Sequence, residues 1–362
     1  MAPRPFTTAL AVAAALSAAG ARARAQSPRM TCQVSHQTLV QTESDHADPA
    51  VAPALAFTAE GALVMHRGRN GGLWLHRLDA QLHALGEARE LTSEAGAFAL
   101  IESTDGVVAV YVERGQEIVL ARVSARGEAQ NVPRVLARAA TTVRAVAITR
   151  TPEGFVLAWT VEGESAVRAL ATDTRGVPRG EAQAVAAGAA PRIEWLQGVA
   201  VAALAMGAPG DDPAVVQLSP SGEVIARTRW AAGVLGPVEL GGGVYFVHAH
   251  TTGVPVLERV PVGGIASGFE VGALTASRVH LNQVISDGAS AAVLTTDLHA
   301  QRQFVYRLAP DGTASAPALV RSNAQSPASM GVRRDGVFFV VTREAGAHNT
   351  ARIAATLVTC AR

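Results

Sequence analysis

The chain has 362 residues, with 31 basic residues against 30 acidic ones, and every basic residue apart from histidine is arginine. A formal charge of +1 offers no electrostatic footprint for nucleic acid or an anionic membrane surface, so neither is expected as a partner. Apolar residues make up 49%, aromatics only 4%, and there are 34 glycines, which describes a turn-rich globular chain with a large core.

The first 25 residues, MAPRPFTTALAVAAALSAAGARARA, read as a secretory signal peptide. Arg4 opens it, a short Ala/Leu-rich run follows, and Ala23-Arg24-Ala25 forms an A-x-A cleavage pattern before Gln26. The rival reading is a buried N-terminal helix. The apolar run is too short to span a membrane and no later run reaches that length, so no membrane insertion is expected. PRMT before Cys32 does not fit a lipid-modified cysteine. Removal of Arg4, Arg22 and Arg24 leaves 28 arginines against 30 acids, a net charge of −2. The expectation is an exported monomer, periplasmic or extracellular, with residues 26–362 in one domain. Oxidising compartments let disulfides persist, and the only two cysteines, Cys32 and Cys360, permit one intramolecular pair.

A repeat then runs the length of the chain. Seven times, a turn ending in glycine launches an apolar run, at Gly61, Gly106, Gly154, Gly198, Gly243, Gly288 and Gly336. Successive spacings are 45, 48, 44, 45, 45 and 48 residues. Within each period a short apolar segment precedes the glycine (PALAFT, AFALIES, RAVAITR, RIEWL) and a polar loop follows the glycine run. A third run comes next (GLWLHRLD, EIVLARVS, AVRALATD), and a glycine turn leads to a weaker fourth (VPRVLAR, EAQAVAA, APALVRS). Runs of 6 to 8 residues rich in Val and Phe predict strands rather than helices. Second runs such as VYFVHA and VFFVV are apolar on both faces, as a strand covered on each side requires. Four short strands recurring near 45 residues describe a propeller blade. Two β-sandwiches in tandem are the rival reading, but sandwiches need no constant four-strand period.

Six repeats carry all four strands; the seventh, from about Ala328, has three. The N-terminal segment QVSHQTLVQTE, about residues 33–43, sits where the missing fourth strand would end. It is expected to pair with the last blade, 328–361, closing the ring and covering an exposed edge. Adjacent antiparallel strands lie about 5 Å apart, so this pairing brings Cys32 within disulfide reach of Cys360.

Over about residues 30–362 the pattern resembles the seven-bladed β-propeller superfamily: all-β, four-stranded blades, ring closed by the N-terminal strand. No Trp-Asp dipeptide closes a third strand, and ATDTRGVP lacks the tryptophan of a sialidase-type box, so no subfamily is indicated. The resemblance implies that loops joining strands two and three share one face with the blade-joining loops, and that ligands bind there around the central channel. Those loops carry Arg67, Arg69, Glu113, Arg114, Glu162, Glu164, Asp211, Asp212, His250, Asp297, His299, Arg302, Arg343, Glu344 and His348, and the segment before the first blade adds Asp45, His46 and Asp48. The opposing reading is solvated loop charge. His248 and His250 share a strand face, but His248 stands five residues after its glycine, as His66, Tyr111 and Trp159 do, which marks a packing position. The Asp211–Asp212 pair falls short of the ligand number calcium prefers. No H-E-x-x-H, C-x-x-C, Walker loop or G-x-S-x-G occurs, so no metal, cofactor or catalytic residue is assigned. The leading expectation is a non-enzymatic module that binds a protein or extracellular polymer. A hydrolase or lyase using channel-mouth carboxylates, and a structural envelope component, are the alternatives.

Overall fold

A computed structural model describes residues 31–40, 51–205, 214–229, 234–249, 254–260, 279–322, 328–333, 337–345 and 351–361. The signal-peptide segment 1–25 and the loop residues Asp45, His46, Asp48, Asp211, Asp212, His250 and His348 lie outside them. The N-terminal strand is β1 (Thr31–Val40). Blade 1 is β2 (Ala54–Thr58), β3 (Gly61–Arg67), β4 (Leu73–Leu78) and β5 (Arg89–Thr92). Blade 2 is β6 (Ala95–Ser103), β7 (Gly106–Glu113), β8 (Glu117–Ser124) and β9 (Arg134–Arg138). Blade 3 is β10 (Val143–Thr151), β11 (Gly154–Val161), β12 (Ala166–Asp173) and β13 (Gln183–Ala187). Blade 4 is β14 (Ala189–Leu196), β15 (Val199–Ala205), β16 (Ala214–Leu218) and β17 (Val224–Arg229). Blade 5 shows β18 (Val234–Leu240), β19 (Gly243–Ala249) and β20 (Pro255–Val260); the place of its fourth strand falls in 261–278, outside the described residues. Blade 6 is β21 (Val279–Ser286), β22 (Ala291–Asp297), β23 (Arg302–Leu308) and β24 (Ala318–Ser322). Blade 7 holds β25 (Ala328–Val332), β26 (Phe338–Ala345) and β27 (Ala351–Ala361), and β1 completes it in the order β1-β27-β26-β25.

Each sheet is antiparallel, a meander of consecutive strands except where β1 joins blade 7, and the first strands of successive blades touch one another all the way round, β25 of blade 7 meeting β2 of blade 1. The arrangement is a seven-bladed β-propeller.

The apolar second strands explain why the sheets stand face to face. In β7, Val107, Ala109 and Tyr111 pack toward blade 1, while Val108, Val110 and Val112 pack toward blade 3. The described core divides into seven clusters, one in each gap between neighbouring blades. Burying one side chain such as Tyr111 or Phe339 contributes roughly 1.5–3 kcal/mol, so each gap is held by many such terms. The glycine that opens the second strand is a steric necessity in blades 2 and 3. Gly106 and Gly154 have φ of +145° and +154°, and a Cβ there would stand 2.2 Å from the Val123 carbonyl oxygen and 2.0 Å from that of Thr172. The turn tucks under the third strand, and only glycine leaves room.

The first and last strands meet as the cysteine placement implies. β1 pairs antiparallel with β27, with Cys32 opposite Cys360, and the two form a disulfide. Cys32 is buried in the core between blades 6 and 7, beside Met330, Phe338 and Val358. Blade 6 grips the junction from outside: Arg307 Nη1 donates to the Cys360 carbonyl at 3.1 Å, and Thr31 bridges to Ala316. The final gap, between blades 7 and 1, is filled by Phe57 against Phe339, ring centroids 4.6 Å apart.

Replacing both cysteines by serine is therefore expected to lower unfolding stability by up to about 5–6 kcal/mol, the chain-entropy ceiling for so long a loop, without changing the far-UV CD spectrum. Urea denaturation of oxidised wild type and the double variant measures this; equal midpoints would contradict it.

Candidate functional site

Among the described loops singled out by sequence, the β3–β4, β7–β8 and β11–β12 loops lie beside the blade joints. The Ala95 amide, entering blade 2, donates to the Gly71 carbonyl in the β3–β4 loop at 2.6 Å, and the Val143 amide to that of Gly115 in the β7–β8 loop at 2.7 Å. On this rim Arg69, Arg114, Glu162, His299 and Arg302 are exposed, while Arg67, Glu113 and Asp297 are half-buried. The hydrogen bonds seen here are local. Glu113 accepts from Thr92 Oγ1 at 2.8 Å, Glu162 pairs with Arg144, Glu164 accepts from Arg168 at 2.8 Å, and Asp297 accepts the amides of His299 and Ala300 at 2.9 Å each. Arg343 and Glu344 lie on β26, their side chains outside the description. Leu298, 56% exposed, stands in the same β22–β23 loop as His299.

The charges that converge in space come instead from the innermost strands. An axial cavity of about 500 Å³ is lined by Arg192 and Glu194 of β14 and by His280, Asn282 and Gln283 of β21. A second, of about 440 Å³, continues toward the opposite face and adds Glu102 of β6 and Arg150 of β10. Glu194 borders both. Alternation along β14 explains the placement: Pro191, Ile193 and Leu196 are buried, whereas Arg192 and Glu194 face the channel. Arg192 Nη2 reaches across to the Asn282 carbonyl at 2.7 Å. Asn282 Oδ1 accepts from Thr296 Oγ1 at 2.8 Å. Gln283 clasps blade 7, its Oε1 accepting the Met330 amide at 2.6 Å and its Nε2 donating to the Met330 carbonyl at 3.2 Å.

Channel water touches Arg192 and Glu194, but protein surrounds the channel on every side. That enclosure pushes the Glu194 carboxyl up to about 7, with the neighbouring Arg192 charge opposing the rise. The same enclosure disfavours the Arg192 charge, and Glu194 restores part of it. A carboxyl poised near neutrality can accept or release a proton at physiological pH. Two-carboxylate hydrolysis needs a second acid, and Glu102 uses Oε1 to accept the Phe57 amide at 3.3 Å.

The histidine and aromatic positions five after the glycine are buried, with His66, Tyr111 and Trp159 each 3% exposed or less. His66 stacks on His76 of β4, their ring nitrogens 3.2 Å apart, on the side of β3 that faces blade 7. Burial lowers His76 to about 4. The side chain of His248 lies outside the description. Among the described residues no group of three or more His, Cys, Asp or Glu is arranged to hold a metal ion, and no helix is long and apolar enough to cross a membrane.

No protein-family model and no curated protein matches the chain. Among solved structures it is similar to BBS1N in a crystal structure of BBS1N in complex with ARL6DN, soaked with mercury. The TM-score is 0.56 at 12% identity, covering 91% of this chain and 97% of that one. A lead-soaked crystal of the same complex gives 0.55. The chain is also similar to one from the mitotic checkpoint complex, with a TM-score of 0.52 at 10% identity over 93% of this chain and 97% of that one. Likeness at such identities is likeness of fold.

Two titrations follow. The Glu194 ¹³Cδ resonance should titrate near 7, and Arg192→Gln should move that midpoint upward; a midpoint at the ordinary 4.5 would contradict the enclosure. For His76 the folded value lies below the unfolded 6.5, so its contribution to stability is full above about 6.5 and is lost as pH falls toward 4. The loss is on the order of 3 kcal/mol. Glu194 acts in the opposite sense, its contribution being lost as pH rises from 4.5 through about 7. Urea unfolding at a series of pH values should therefore show a shallower acid limb for His76→Phe than for wild type, and parallel limbs would contradict this.

Proposed function

We propose that this propeller is an exported binding module that engages a protein or extracellular polymer through the rim carrying the β3–β4, β7–β8, β11–β12 and β22–β23 loops. The observation that carries the reading is the mixed character of this rim. Exposed Leu298 lies next to His299 and close to Arg302 on blade 6, and Arg69, Arg114 and Glu162 are exposed on blades 1, 2 and 3. A rim that mixes an exposed apolar side chain with charges spread over several blades suits an interaction surface better than a cleft for chemistry. The structural relatives point the same way, since BBS1N was crystallised in complex with ARL6DN and the third relative belongs to a multi-protein checkpoint assembly. Export is supported by the Cys32–Cys360 disulfide, which a reducing cytosol would not maintain, and by the A-x-A leader pattern. On this reading residues 1–25 are removed and 26–362 form the working domain.

The test uses oxidised mature protein as bait against the native envelope and medium. A partner recovered by wild type should be lost at least tenfold by Leu298→Asp combined with Arg302→Glu. It should be retained by Arg126→Glu, because Arg126 lies on the opposite face against Glu60 of the β2–β3 turn. Equal recovery by the two variants would overturn the assignment to the rim.

A further inference from the structure

The axial channel is lined asymmetrically. Blades 2 and 3 present an apolar wall, Ala99, Leu100 and Ile101 of β6 and Val146, Ala147 and Ile148 of β10. Blades 4 and 6 present the polar wall of Arg192, Glu194, His280, Asn282 and Gln283. The Gln283 amide is occupied by its two ties to Met330 and Asn282 Oδ1 by Thr296, which leaves Arg192, Glu194 and His280 as the titratable and charged groups of this wall able to meet a guest. A cavity of about 500 Å³ falls within the range of small-molecule sites, where apolar walls supply affinity and a few polar groups fix orientation.

We propose that the channel binds a small amphiphilic carboxylate, its anionic head on Arg192 and its apolar body along the wall where Ala99, Ile101 and Ala147 are partly exposed. An arginine presents a planar fork matched to a carboxylate, and its hold on the Asn282 carbonyl fixes that fork across the axis. The electrostatic balance favours an anion over a cation. The titratable and charged groups facing Glu194 are Arg192 on its own strand, His280 on β21, and Glu102 and Arg150 toward the lower cavity. The lining residues from β2, β18 and β25 bring no charge. Glu102 is engaged with the Phe57 amide, and Glu194 takes a proton readily in this enclosure. An incoming carboxylate favours that proton further, so binding takes up a proton and tightens as pH falls. This site is separate from the rim surface proposed above, and neither depends on the other.

The probe is octanoate, with octanamide and octylammonium as its neutral and cationic counterparts, titrated calorimetrically into oxidised protein at pH 6 and pH 8. The expected result is one octanoate site, up to about tenfold tighter at pH 6, because the protonated fraction of a group near 7 changes by that factor. The amide and the ammonium should bind at least tenfold more weakly. Glu194→Gln should bind octanoate with the pH dependence removed, and Arg192→Gln at least tenfold more weakly. Ser329→Phe, which fills the cavity from blade 7 away from Arg192, should abolish binding while the urea midpoint stays near that of wild type. The wild-type series needs no variant, so it decides the matter even if Arg192→Gln fails to fold. Octylammonium or octanamide binding as tightly as octanoate, pH-independent binding, or no binding of any probe at millimolar concentration would each overturn the proposal.

Discussion

Each blade buries both faces against its neighbours, so a blade is stable only inside a closed ring, and the last blade lacks a strand of its own. The strand that supplies it comes from the opposite end of the sequence. Pairing β1 with β27 completes the seventh sheet, and it also lets that sheet press Phe339 and Val341 against blade 1 and Met330 and Phe338 against blade 6. Two of the seven inter-blade cores thus depend on a contact between residues about as far apart in sequence as the chain allows. Such a contact has a high closure entropy, and a covalent link at its end is the economical way to hold it. Arg307 strengthens the junction, joining Ser290, the Cys360 carbonyl and Asp287 while its guanidinium lies 5.8 Å from the centre of the Phe338 ring.

The same geometry fixes what stands at the axis. Once second and third strands fill the gaps between blades, the first strands are left to line a channel that is wet yet enclosed. Charged residues there feel one another and the surrounding protein more than rim residues do. Glu194 and Arg192 are in that position, and Arg114 and Arg302 are not. The rim, exposed and spread over several blades, suits a large partner, and the channel suits a small guest.

Much of the architecture was legible in the sequence because it is written in local signals that repeat. The launching glycines of blades 1 to 3 mark turns where a Cβ would strike the third strand, as the contact of Gly106 with Val123 shows, and the doubly apolar second strands announce a sheet covered on both sides. The two cysteines fixed the closure because only one pairing was open to them. The convergence at the axis was hidden for a physical reason. Arg192 meets Asn282 across 90 residues, a distance set by the rotation of blades around the ring rather than by any local spacing. A hint was present in RIEWL, where two charges alternate with apolar residues in a first strand that blades 1 and 2 keep apolar at its centre.

The ring-closure account is tested most directly by amide hydrogen exchange of β1, read by mass spectrometry on the oxidised and the reduced protein. The account predicts that β1 peptides in the oxidised protein are protected like those of β7 and β11, and that on reduction β1 loses protection first while β7 and β11 keep theirs. Rapid exchange of β1 in the oxidised protein, or identical protection of β1 with the disulfide open and closed, would contradict it.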